Sequence, residues 1–526
     1  MFYIRPANIF AERQAGQGSE FPMDKAYSRR QLIGFFGGPI LFITVLLLPE
    51  SAELSSSALR VAAVAVLMAS WWITEAIPIP ATALLPIALF PILGVMKASE
   101  ATVQYANHII FLFLGGFFIA VTMEKWHLHT RIALHTIRII GLGPSRIILG
   151  FMLATAFLSM WISNTATAMM MLPIAMAVVR QATDVINVNN VDNIDTRPSH
   201  FRFGTALMLG IAYGASIGGV ATIIGTPPNT IMVGFIENTY GQQISFASWM
   251  SVGVPLAAVM LIVTWAYLVK IALPPEIKEL PGGREVLLAE LKKLGRLTRP
   301  EKLILFVFIL VSASWISRGF INIEALSMVH DSTIAICGAL LLFIIPVDLK
   351  KGRFLLDWQT AVKVPWDVIL LFGGGLALAN AFQVSGLDHW IGNRLTLFEG
   401  SGLFLLIFAV VFLTIFLTEV TSNTATSAML IPIMGSIALA MAIHPYGPIF
   451  AVCIAASYAF MLPVATPPNA VIFGSRYITI PRMASVGLAL NIVGSILITL
   501  IILFLVPRVM HLDLNRLPEW LGPLVK

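Results

Sequence analysis

Charge is what this sequence has least of. Only 11% of its 526 residues are charged and 58% are hydrophobic, whereas a soluble domain carries about 25% charged residues. That deficit excludes a soluble globular protein. Cysteine is almost missing. Cys337 and Cys453 both lie within apolar runs, which excludes a disulfide framework or a thiolate metal site and leaves two small buried hydrophobes. No Walker loop, dinucleotide fingerprint, HExxH or GxSxG occurs, so the chain is expected to be no enzyme and to need no cofactor. His127, His129 and His135 lack metal-ligand spacing, and His108, His330, His389 and His444 stand isolated. The formal charge of +6 calls for no nucleic-acid partner, because helical membrane proteins gather basic residues in cytoplasmic loops. A cleavable signal is not expected either, since residues 1–31 are polar and charged and no small-residue pattern follows the first apolar run.

What the sequence has in abundance is apolar runs near 20 residues, the length that crosses about 30 Å of hydrocarbon. They are too long for barrel strands, so the expected fold class is an all-α polytopic membrane protein. Residues 1–31 read as a cytoplasmic tail and 32–56 as a leading transmembrane segment. Residues 57–272 and 302–508 read as two repeats, joined by a cytoplasmic linker at 273–301 that carries an amphipathic surface helix around Arg284–Gly295. Residues 509–526 read as a C-terminal tail. Three loops, 124–146, 270–302 and 348–365, are rich in Lys and Arg. They share the N-terminal side only if 145–180 and 402–441 are re-entrant hairpins that turn back before crossing. This gives about 11 transmembrane helices plus two hairpins, with the N-terminus in the cytoplasm and the C-terminus outside a bacterial inner membrane; thirteen or more full crossings is the alternative. Five spans per repeat is an odd number, so the second repeat enters upside down. Hairpin 145–180 then enters from the cytoplasm and 402–441 from outside. Inverted repeats with broken helices are a transporter arrangement.

The polar residues inside these apolar runs are duplicated. Ser163-Asn164-Thr165-Ala166-Thr167 recurs as Ser422-Asn423-Thr424-Ala425-Thr426, and Thr226-Pro227-Pro228-Asn229 recurs as Thr466-Pro467-Pro468-Asn469, in the same order. Two adjacent prolines remove backbone donors and break a helix, and a tip of Ser, Asn and Thr offers hydroxyls and an amide to an ion. Ser159 and Thr418 each add a hydroxyl one turn before the tip. Small polar residues are also common where membrane helices pack closely, but that reading does not explain two matched two-part motifs. Glu419 has no counterpart, since Met160 stands in the first copy. It is either a functional charge or a carboxylate paired with a neighbour. Glu75 reads as structural and Met169–Met171 as packing.

These paired motifs resemble those of the divalent anion:sodium symporter family, over about residues 35–510. The resemblance implies a homodimer of scaffold and transport domains working as an elevator, with sodium as coupling ion and membrane lipid around it. It implies one sodium site from Ser159, Ser163, Asn164 and Gly225, and a second from Thr418, Thr421, Asn423 and Ala465. The small-molecule dianion would lie between the tips, near Ser163, Asn164, Thr165, Thr226, Ser422, Asn423, Thr424, Thr466 and Pro467. No arginine clamp is evident, so binding would rely on sodium charge, hydroxyls, amides and helix ends. The expected function is sodium-coupled uptake of C4-dicarboxylates such as succinate, fumarate or malate by alternating access. Citrate or another tricarboxylate, tartrate, sulfate and sodium-independent exchange remain alternatives, and an anion channel is the alternative of a different class.

Overall fold

A computed structural model describes residues 27–50, 54–141, 143–188, 194–277, 279, 283–320, 328–394 and 402–521. Most of the expected N-terminal tail, residues 1–26, lies outside the described residues. Among the described residues the regular structure is helical, apart from a short antiparallel pair at Pro346–Asp348 and Arg353–Phe354. Among the described residues, eight helices are long and apolar enough to cross a membrane, and five shorter apolar helices accompany them. The chain is an all-α polytopic membrane protein.

Helix starts follow local chemistry. Ser28, Ser55, Asn107, Ser245 and Thr298 each accept a backbone N–H of the first turn, satisfying a donor that has no partner within the helix. Pro144, Pro227, Pro228, Pro467 and Pro468 stand in first turns, where a missing N–H costs nothing. The double prolines therefore act as starters of new helices after a break. The amphipathic segment forms the helix Gly283–Leu294.

The three basic loops meet. Arg131 Nε donates to Glu301 Oε1 at 2.8 Å, and its other nitrogens reach the carbonyls of Leu294 and Gly295. Lys125 Nζ donates to Asp357 at 2.7 Å and to the Leu355 carbonyl at 3.2 Å. The Lys125 ammonium depresses the Asp357 carboxyl to about 2. Loops 124–146, 270–302 and 348–365 thus lie at one end of the molecule.

The two repeats share a plan. In the first, helix Pro144–Ser159 breaks and resumes as Asn164–Val188, then Arg202–Gly219 breaks and resumes as Pro227–Tyr240. In the second, Leu403–Thr418 resumes as Asn423–Ala440, and Tyr446–Ala455 resumes as Pro467–Phe473. The repeats also interlock. Pro467–Phe473 packs on Asn164–Val188, and Pro227–Tyr240 packs on Asn423–Ala440. Each half-helix after a proline break therefore leans on a helix that follows the other repeat's Ser-Asn-Thr tip.

Residues 511–521, the described part of the segment after helix Ile480–Met510, fold back onto the helices. Leu514 and Leu521 are buried, the His444 N–H donates to the Leu514 carbonyl at 3.1 Å, and the Trp520 ring lies 5.6 Å from that of Tyr240.

Candidate functional site

The break between helices Pro144–Ser159 and Asn164–Val188 is held by its own polar residues. Ser159 is fully buried at the end of its helix, and its hydroxyl lies within hydrogen-bond reach of two acceptors, Asn164 Oδ1 and, at 2.7 Å, the Ala215 carbonyl. The second break repeats this arrangement. The Thr418 hydroxyl, also buried, lies within hydrogen-bond reach of Asn423 Oδ1 at 2.7 Å and of the Ala456 carbonyl at 3.0 Å.

The proline breaks repeat one another in the same way. Asn229 Nδ2 donates to the Gly219 carbonyl at 3.1 Å and the Thr222 carbonyl at 2.7 Å. Asn469 Nδ2 donates to Ala459 at 3.1 Å and Leu462 at 3.0 Å. Each asparagine thus reaches back ten and seven residues to carbonyls that a helix would otherwise have used, closing the break into a loop of fixed shape.

Around the first break backbone segments approach one another closely. A methyl placed on Gly219 would lie 2.6 Å from Asn164 Oδ1 and 3.1 Å from the Gly225 carbonyl. One placed on Gly225 would clash with the Gly219 carbonyl and stand 3.0 Å from that of Ser159. Only glycine permits this approach. Asn164 Oδ1 and the carbonyls of Ser159, Gly219 and Gly225 are uncharged hard oxygens, a donor set suited to an alkali or alkaline-earth cation and unsuited to a soft metal.

The structure therefore brings Ser159, Asn164 and Gly225 together. Ser163 caps the next helix instead, accepting the Ala166 N–H at 3.3 Å. In the second copy Thr418 meets Asn423, while the Thr421 hydroxyl is engaged by the Leu417 carbonyl and, at 2.7 Å, by Thr426. The Ala465 N–H donates to Leu462 at 3.2 Å within the break. Of the residues expected at the substrate, Ser163, Asn164, Thr165, Ser422, Asn423 and Thr424 are half-buried at the tips. Thr226 and Thr466 are buried as the caps of their half-helices, and Pro467 is exposed. The tips and the proline breaks all sit at helix N-termini, where free N–H groups and the helix dipole favour an anion.

Sequence reasoning missed Gly219, Asn229 and Asn469 as shaping residues, and it missed a further pair. Ser216 and Ser457 each follow the carbonyl taken by Ser159 or Thr418, and both hydroxyls are buried without a hydrogen-bond partner. Two orphaned hydroxyls beside the two breaks fit ligands for a cation. Their only signal is a repeated Ala-Ser dipeptide, too short to stand out.

Glu419 is resolved by geometry. Its carboxylate accepts from the N–H groups of Phe460, Met461 and Leu462 at 2.7, 2.9 and 3.0 Å and from Asn491 Nδ2 at 2.7 Å. With four donors satisfied, it is a structural anchor for the second break. Glu75 pairs with Arg30 at 3.0 Å, and Arg30 also donates to the Val420 carbonyl beside the second tip.

The family described as sodium:sulfate symporter transmembrane region matches residues 33–511. The sodium-dependent dicarboxylate transporter SdcS of Staphylococcus saprophyticus is 44% identical over 94% of this chain and 95% of its own length. Its namesake in Staphylococcus aureus is 44% identical over 98% of this chain and 99% of its own. Two solved structures share the fold at 10% identity. The Alcanivorax borkumensis transporter YdaH has a TM-score of 0.53, covering 85% of this chain and 97% of that one. Neisseria gonorrhoeae MtrF has a TM-score of 0.51, covering 76% and 83%.

Proposed function

From the premise that this chain belongs to the sodium:sulfate, or divalent anion:sodium, symporter family, we propose that it couples inward sodium movement to uptake of C4-dicarboxylates such as succinate, fumarate and malate. The observation that carries the site assignment is the duplicated contact of hydroxyl, asparagine and carbonyl at Ser159–Asn164–Ala215 and Thr418–Asn423–Ala456. Relatives at 44% identity carry the name of sodium-dependent dicarboxylate transporter, which supports the substrate class.

In this reading each break holds one sodium ion. The first site uses the oxygens around Asn164, Gly219 and Gly225 with Ser159 and Ser216. The second uses those around Asn423 and Ala465 with Thr418, Thr421 and Ser457. The substrate carboxylates lie between the tips, where Ser163, Asn164, Thr165, Ser422, Asn423 and Thr424 supply donors, with Thr226, Thr466 and Pro467 nearby. A neutral polar pocket binds a dianion weakly. Sodium bound first supplies the attraction, and its release inside lowers the affinity again.

Alternating access by an elevator-like movement of the interlocked hairpins and half-helices, in a homodimer, follows the family resemblance. It draws further support from two repeats that each lean on the other. The meeting of the three basic loops supports a common cytoplasmic side for them and hairpins that turn back. Exposed apolar residues such as Ile40, Phe306, Leu413 and Phe504 give the outer faces a surface that lipid covers.

The test is uptake of labelled succinate into proteoliposomes under an inward sodium gradient, with sodium then replaced by potassium or lithium. Saturable, sodium-dependent uptake, competed by fumarate and malate more strongly than by citrate or sulfate, is the expected result. Equal uptake in potassium would establish exchange, and flux that never saturates would establish a channel.

A further inference from the structure

Three residues distant in sequence meet at the end of the molecule away from the basic loops. His108 opens helix His108–Lys125, His330 caps helix Asp331–Ile344, and Glu237 lies in the last turn of Pro227–Tyr240. His108 Nε2 stands 3.3 Å from Glu237 Oε2, and the His108 and His330 ring centroids are 5.2 Å apart. One ligand atom from each residue lies within 4.8 Å of the others, and all three residues are partly buried. The second oxygen of Glu237 accepts from Gln243 Nε2 at 2.9 Å, and that amide lies 3.5 Å from His330 Nδ1. The amide thus links the carboxylate to the His330 ring, while the other carboxylate oxygen meets His108.

We propose that His108, Glu237 and His330 bind a divalent transition-metal cation of the zinc class and that the bound ion clips half-helix Pro227–Tyr240 to the packed helices His108–Lys125 and Asp331–Ile344. Two imidazoles and one carboxylate are a donor set that zinc accepts readily, with water completing four-coordination. Calcium and magnesium prefer oxygens alone, as sodium does, so this site is chemically distinct from the breaks at Asn164 and Asn423. Zinc bonds of about 2.0–2.2 Å require the three ligand atoms to close in by roughly an ångström, within the reach of side-chain adjustment at partly buried positions. An ion pair between His108 and Glu237 alone would not need the His330 ring.

The clip has a consequence for transport that rests on the function proposed above. Helix Pro227–Tyr240 belongs to the interlocked breaks that move, whereas helices His108–Lys125 and Asp331–Ile344 pack on each other outside them. Zinc bridging the two holds the carrier in the present conformation and slows uptake.

Zinc titration of the purified full-length protein by calorimetry tests the site without reference to transport. One zinc per chain is expected, with affinity lowered at least about tenfold by His108→Ala, His330→Ala or Glu237→Gln, on the scale at which even indirect metal contacts matter. Gel filtration and thermal unfolding identify any variant that has lost its fold, and the conservative Glu237→Gln serves if a histidine variant does. No zinc binding, or binding unchanged by these substitutions but lost with His127→Ala and His129→Ala, overturns the proposal. In proteoliposomes, external zinc should inhibit wild-type uptake at least fivefold more than it inhibits His330→Ala relative to its own zinc-free rate. Zinc that binds at these residues without slowing uptake overturns the clip. Zinc binding with no dicarboxylate uptake under any sodium condition would overturn the proposed function and leave the metal site standing.

Discussion

Three consecutive N–H groups, those of Phe460, Met461 and Leu462, find their acceptor in the Glu419 carboxylate, which Asn491 also holds. Removing that acceptor leaves buried donors unpaired, at about 1–3 kcal/mol each. Glu419→Ala is therefore expected to lower the thermal unfolding temperature with or without sodium, and to abolish uptake with it. Asn164→Ala and Asn423→Ala should behave differently. Each removes an oxygen from a proposed sodium site but leaves the Ser159 or Thr418 hydroxyl its Ala215 or Ala456 carbonyl as acceptor, so unfolding without sodium should shift little, while the stabilisation added by sodium should disappear and uptake should fall at least tenfold. Thermal unfolding across a sodium series reads both effects. If both asparagine variants keep the sodium response of the wild type, the ions bind elsewhere. The sequence distinguished these residues only in part. Asn164 and Asn423 stand out as a repeat, whereas the role of Glu419 depends on partners about forty and seventy residues away that no local pattern connects to it.

At the level of elements, helices Pro144–Ser159 and Arg202–Gly219 cross where Gly218 faces the backbone of Ala156. A methyl at Gly218 would overlap that backbone, which cannot rotate aside as a side chain can. Gly218→Ala should push the helices apart, costing about 1–3 kcal/mol, and should disturb the Ser159–Ala215 contact one turn away. Gly37→Ala is the control. Nothing lies within 4 Å of that position in helix Arg29–Leu46, so the gain in helix propensity should leave stability equal or higher. Differential unfolding of the two variants checks the pair. The breaks themselves are legible in the sequence as prolines and polar tips, but their extents are not. The identical Thr-Pro-Pro-Asn motifs follow irregular stretches of different length. Val220–Thr226 separates the first pair of half-helices and Ala456–Thr466 the second. The longer stretch is unwound because Glu419 takes N–H groups that a helix would have used. In the first copy Thr222 donates to the Met160 carbonyl instead.

On the scale of the whole molecule, the C-terminal segment ties the two repeats together. The Trp520 ring packs against Tyr240 at the end of a first-repeat half-helix and lies near His444 and Tyr446 at the start of a second-repeat helix. Trp520→Ala should destabilise the protein by roughly 0.5–3 kcal/mol, measured as a lowered unfolding temperature, without removing the sodium response. A variant that unfolds normally would reduce the segment to a surface strap. Composition, apolar run length and the two repeated motifs determined the membrane class, the helical fold, the duplication and which polar residues make up the proposed site, because each is a property of local sequence or of sequence compared with itself. The tertiary structure decided which carbonyls close the breaks, that Ser216 and Ser457 stand beside them with unpaired hydroxyls, and that each half-helix leans on the opposite repeat. It also brought His108, Glu237 and His330 to one point. These facts depend on contacts between segments separated by tens to hundreds of residues, and such contacts are set by how helices pack rather than by any spacing along the chain.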